Sequence, residues 1–466
     1  MNNMKTTPTS QRIGFLAILG LGIVASSAHG QVSGRPVASM SIFDSSMTTF
    51  MLANGIEAGV LGMMHEGRIQ YLKGFGSLDS GVNMPENALV RLASCTKPMT
   101  AAAIRRLDAQ TNIDVTDFAF NINGNGGVLN YTPFPNLGDN RLDDITINHL
   151  LQHRGGWNRD IAGDLTYMEL DIADDMDVAS PPGRGNTMRW ILGQPLQFTP
   201  GNAYEYSNIG YLALGLIVSL NTGPGYEGYV QQQVLTPAMW VPGTEIEDAR
   251  TFRADRNARE PWYRSSQLAV SVFNPVMNVS RPYGGFDVEA RLAQGGIIAS
   301  AAAMLELGHR YHISPGSANI GLPIDANNPL TDNESHNGAQ SGVNTFLWHR
   351  TDDTVVFVFF NRNKGEVSSG HYGSDFINQI GPILDAGTQF TWPNTTSDGF
   401  WVTLGTELPT TGLGGYNSTY RGFASALLRC AEGSKIRLKA GSQAFVGTID
   451  KPLLIDAPLG AATIGQ

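Results

Sequence analysis

Apolar and polar positions along this chain follow two periods, and the points where one gives way to the other outline its elements. Residues 38–53 carry apolar side chains at helical spacing and read as an amphipathic helix. Residues 59–76 (GVLGMMHEGRIQYLKGFG) change to the period of strands on either side of a turn at His65-Glu66-Gly67, so a hairpin follows the helix. Residues 93–107 and 206–220 return to the helical period, separated by a long Gly/Asn/Asp-rich stretch that includes 121–127. Late in the chain, 342–349 and 354–361 (TVVFVFFN) read as adjacent strands and 373–386 as a helix. Strands near both ends with helices between them predict one sheet, built from the two ends of the chain and flanked by a helical region.

After residue 386 the texture changes. Residues 392–415 are rich in Thr, Gly and Pro, 418–430 read as a helix, and 435–465 hold short apolar strands separated by Gly, Lys-Pro and Ala-Pro. This segment resembles the opening helix and first coils of a right-handed parallel β-helix. A single coil buries its apolar face only against the next one, so the tail is expected to pack on something else. At the other end, residues 1–30 hold no acid, two bases (Lys5 and Arg12) and an apolar run at 13–25, followed by Ala28-His29-Gly30. That is the pattern of a signal peptide, with a run too short to span a bilayer. The expected division is 1–30 signal peptide, 31–39 lead-in, 40–386 main domain and 387–466 a β-rich C-terminal module.

Composition narrows the class. With 466 residues, 42% hydrophobic and 15% charged, the chain can build a large core and is not disordered. Its formal charge of −10 becomes −12 once residues 1–30 are removed, which argues against nucleic acid as a partner. Two cysteines, Cys95 and Cys430, cannot make a disulfide scaffold, and Cys95 reads as a buried filler rather than half of a bond.

The sharpest local signal is Ser94-Cys95-Thr96-Lys97-Pro98. Serine and lysine three apart on a helix share a face, so the amine can reach the hydroxyl and accept its proton. Pro98 belongs in a first helical turn, which places Ser94 at a helix N-terminus. A Ser-x-x-Lys alone also fits any polar helix face. Lysine is scarce here, however: between residues 40 and 386 only Lys73, Lys97 and Lys364 occur. Tyr206-Ser207-Asn208 and His336-Asn337-Gly338-Ala339 follow in order, and the three motifs together resemble the serine β-lactamase and penicillin-binding superfamily, in its class C β-lactamase, DD-peptidase and esterase branch. Residues 145–153 and the Gln294-Gly295-Gly296 turn are similar to further stretches of that family.

The resemblance covers about residues 40–386. It implies an α/β (α+β) fold with an antiparallel sheet from both chain ends and a helical subdomain. It implies Ser94 as nucleophile, Lys97 and Tyr206 sharing base and acid work, Asn208 holding Lys97 and substrate, and Ser94 and Ala339 N–H groups as an oxyanion hole beside Gly338. His336 stands where class C β-lactamases have lysine. It is expected beside Tyr206 and the substrate carboxylate, and as a half-charged group it would make acylation depend on pH.

The expected protein is an exported, secreted or periplasmic serine hydrolase without metal or organic cofactor. Its substrate would be a small molecule or peptide: an ester or D-residue peptide ahead of a β-lactam. Once the signal is removed no stable membrane span is expected. The alternative is a non-catalytic binding or scaffold protein, with residues 387–466 contacting polysaccharide or a protein. His309 and His312, three apart on a predicted helix, show no third ligand in the sequence and read as a surface or core pair. The acidic run at 171–177 reads as a solvated loop edge.

Overall fold

The structure is a computed structural model that describes residues 31–393, except 35, 80, 111 and 236–245, together with shorter stretches between 400 and 465. The apolar run at 13–25 and Cys430 lie outside the described residues. No helix among the described residues is long and apolar enough to cross a membrane.

The central element is a six-stranded antiparallel sheet. Its strands are β1 (Ala58–His65), β2 (Arg68–Asp79), β3 (Val82–Asn83), β4 (Glu334–Gln340), β5 (Val343–His349) and β6 (Thr354–Phe360), in the spatial order β3-β2-β1-β6-β5-β4. β1 and β6, from opposite ends of the sequence, are direct neighbours, with Gly59 opposite Phe360 and His65 opposite Thr354. The uninterrupted apolar run of β6 has a simple cause. Val356, Val358 and Phe360 face a core shared with α1 (Ser41–Ala53) and α6 (Tyr372–Ala386). Val355, Phe357 and Phe359 face the larger core on the other side. A strand covered on both faces needs no polar alternation, and each buried phenylalanine stabilises by roughly 1.5–3 kcal/mol.

That larger core holds α2 (Lys97–Ala109), α3 (Asn208–Asn221), α4 (Val288–Gly295) and α5 (Ala301–Arg310). A small three-stranded sheet, Val90–Arg91, Ile297–Ala299 and Ile246–Asp248, leads into the turn before α2. The acidic run differs from its expected loop: Glu169–Asp175 is a helix, and Asp175 accepts a hydrogen bond from the Trp190 indole at 2.8 Å.

Phe390 packs on Phe43 and Trp392 stacks on His65. Beyond them the described strands pair in parallel. Lys435–Leu438 lies between Phe400–Thr403 and Leu454–Asp456, and Gly441–Gln443 pairs with Ala462–Ile464. Phe423, Ala426 and Leu427 of the helix Phe423–Arg429 pack with Val402, Ile436 and Leu438 into a separate apolar cluster.

Candidate active site

Ser94 sits in a 3-10 turn, Ala93–Thr96, that runs directly into α2, with Pro98 in the first turn of the helix. Ala93 takes the left-handed conformation, φ 47°, which is uncommon for a residue with a side chain. Neighbouring strands hold the turn there. The Thr345 hydroxyl donates to the Leu92 carbonyl at 2.7 Å, and the Cys95 thiol donates to the His336 carbonyl at 3.3 Å. β4 comes so close that a Cβ on Gly338 would lie 2.4 Å from the Leu92 oxygen and 2.3 Å from the Thr345 hydroxyl, so only glycine fits. Among the described residues Cys95 is a buried free thiol, pushed up to about 12 by burial.

Lys97 is fully buried. Its amine lies 3.1 Å from Ser94 Oγ, 2.7 Å from Asn208 Oδ1 and 2.7 Å from the Gln294 carbonyl. Burial pulls it down to about 7, helped by the Arg159 charge and opposed by Asp164. A neutral amine offers two N–H donors and one lone pair. Asn208 and Gln294 supply the two acceptors, which leaves the lone pair for the Ser94 hydroxyl. Asn208, first residue of α3, has its amide orientation fixed from behind, because its Nδ2 donates to Asp164 at 2.6 Å. The amide thus stands between the lysine and the nearest negative charge.

Tyr206 lies just before α3. Burial raises its phenol above the ordinary tyrosine value, although its hydrogen bond with Ser94 and the charge of Arg159 work the other way. The ring is stacked on His153 at 4.4 Å between centroids, and the Arg159 guanidinium and the Lys97 amine each lie 5.0 Å from its centre. His153 accepts the Ser207 N–H on Nδ1, and burial pushes it well below the ordinary histidine range. Ser94, Asn208 and Ala339 line an open cleft with Tyr167, Gln294 and Gln340.

The structure therefore brings together Ser94, Lys97, Tyr206, Asn208 and Ala339, with Gly338 as the spacer that lets β4 approach. His336 departs from expectation in charge. It is buried, its Nδ1 pairs with the Asn337 carbonyl at 2.9 Å, and its Nε2 is buried without a partner among the described residues. Burial and the nearby Lys97 hold it down at about 3, so it is neutral across the working pH range and cannot supply the expected pH dependence. His336, Gly338 and Gln340 are the buried positions of β4 while Asn337 and Ala339 are exposed, an alternation readable in the sequence once the strand is placed. Arg159 and Asp164 carry no signal in the sequence, because the loop from 154 to 165 has no periodic pattern or motif, and His153 closes the 145–153 stretch, which reads as a structural helix and turn.

An antiparallel sheet with a helical region, and a serine and lysine on the first turn of the helix between them, define a penicillin-recognition type of fold and site. The family model described as beta-lactamase matches residues 43–376, and the chain belongs to that family. It is similar to esterase EstB of Burkholderia gladioli, 30% identical over 204 residues, which are 42% of this chain and 48% of EstB. The matched stretch thus spans about half of that relative's length. Among solved structures, the fold resembles the octameric penicillin-binding protein homologue from Pyrococcus abyssi (TM-score 0.50, 20% identity, 75% of this chain and 77% of that one). It also resembles D-amino acid amidase from Ochrobactrum anthropi SV3 complexed with D-phenylalanine (TM-score 0.50, 17% identity, 74% and 99%).

Proposed function

We propose that this protein is a serine hydrolase that cleaves an ester or amide through an acyl-enzyme on Ser94, with esters as the first substrate class and β-lactams the least favoured. One observation carries the reading: a fully buried lysine amine, lowered to about 7, lies 3.1 Å from the serine hydroxyl. Neutral Lys97 takes the Ser94 proton as Oγ bonds to the carbonyl carbon, and the carbonyl π electrons move to oxygen. The backbone N–H groups of Ser94 and Ala339 receive that oxyanion. Tyr206, which burial keeps protonated, then gives its proton to the leaving group and regains one from Lys97. Water releases the acyl group by the reverse proton path. The similarity to EstB supports an ester substrate. Neutral His336 offers no cation to a β-lactam carboxylate.

Export of the mature chain rests on the leader pattern of residues 1–30, and a contact with polysaccharide or protein through residues 387–466 rests on the coil-like tail. The test of the enzyme reading compares wild type with Ser94→Ala. Wild type should turn over p-nitrophenyl esters and label with a fluorophosphonate. Ser94→Ala, folded by circular dichroism, should do neither, and unchanged turnover in that variant would overturn the proposal.

A further inference from the structure

The sequence pairs His309 with His312, but the fold separates them. His312 is fully engaged, with Nδ1 at 2.7 Å from Glu334 Oε1 and Nε2 at 3.1 Å from the Asn328 carbonyl. His309, in the last turn of α5, meets two residues that no sequence spacing connects to it. These are His349, the last residue of β5, and Asp353 in the turn between β5 and β6. His309 Nδ1 lies 3.1 Å from Asp353 Oδ1, and His349 Nε2 lies 3.9 Å from the same oxygen. One donor atom from each of the three residues falls within 4.8 Å of the other two.

We propose that His309, His349 and Asp353 bind a divalent transition-metal ion, zinc foremost. Bonds of about 2.0–2.1 Å at a tetrahedral angle set donor atoms roughly 3.4 Å apart, and the observed 3.1 and 3.9 Å lie on either side of that spacing. The His349 ring is only 3% exposed, and its Nε2 faces Asp353 Oδ1 across 3.9 Å, longer than a direct hydrogen bond. The turn that presents Asp353 is fixed by its backbone: φ is 57°, its carbonyl accepts the Glu66 N–H at 3.1 Å and its own N–H donates to the Arg350 carbonyl. The flanking arginines do not compete for it, since Arg310 pairs with Glu306 and Arg350 with Asp352 and Asp385. Two imidazoles and one carboxylate favour zinc, nickel or copper over calcium or magnesium. The His309 and Asp353 side chains are 32% and 46% exposed, which gives the ion a way in and leaves a fourth position for water. This site lies five residues along β5 from Asn344, the partner of Ala339, about 17 Å from the cleft. A bound ion would tie the end of α5 to the sheet rather than act on substrate.

The test titrates untagged, EDTA-stripped full-length protein with zinc chloride by calorimetry, and repeats it with cobalt while following visible absorption. One equivalent should bind, His309→Gln and Asp353→Asn should each weaken binding roughly tenfold or more, and ester turnover should not change in either variant. Absence of saturable binding, or zinc affinity unaltered in both variants, would overturn the proposal.

Discussion

Two buried lysines in this molecule have opposite surroundings, and the contrast explains what each one does. Lys73, on β2, has a side chain 5% exposed and an amine 2.6 Å from Asp44 Oδ2, while Tyr71 donates to the other oxygen of the same carboxylate at 2.5 Å. Lys97 is just as enclosed but touches only neutral oxygens, from Ser94, Asn208 and Gln294. The lysine with a carboxylate is an ion pair that fastens α1 to the sheet. The lysine without one is pulled down to about 7 by burial, as the proposed role of base requires. What separates structure from chemistry is one intervening amide, Asn208, which holds the Asp164 charge away from the amine.

Exchanging the two roles should fail in a predictable way. Lys97→Met removes the base and should lower kcat/KM for a p-nitrophenyl ester by about 10²–10⁴, with the fold retained. Lys73→Met should leave kcat/KM near wild type and reduce stability by roughly 1–3 kcal/mol in urea unfolding. That is less than a wholly buried broken pair costs, because the Asp44 side chain is 28% exposed. A smaller effect is expected from Asp164→Asn. Wild-type activity should rise with pH through about 7 as Lys97 loses its proton. Removing the carboxylate that opposes this loss should move the rise to lower pH, and a shift to higher pH would contradict the electrostatic account. The smallest effect belongs to His336→Gln. Because His336 stays neutral between pH 5 and 8, the position of the rise should not move, whatever happens to its height.

The same contrast shows what the sequence could reveal. Ser94, Lys97 and Pro98 share one turn, and Tyr206 and Asn208 share one helix start, so local spacing carried their geometry. The apolar run at 354–360 was readable for a similar reason, since a strand buried on both faces leaves a continuous trace. Alternation along β4 marks the side of the strand on which His336 lies, but not how deeply it is buried, because that depends on the 93–96 turn packing on an edge strand more than 200 residues away. The grouping of His309, His349 and Asp353 was hidden for the same cause: a helix end, a strand end and a turn meet only in the finished fold.

The pairing of β1 with β6 also has a consequence in time. Gly59 and Phe360 face each other across the centre of the sheet although some 300 residues separate them, and such distant contacts are slow to find. The turn that carries Ser94 is braced by Thr345 and packed against Gly338. While the chain is being made, the nucleophile therefore exists for a long interval without the wall that positions it. On the proposed reading, ester turnover should appear only once β4 and β5 have joined the sheet and closed on this turn.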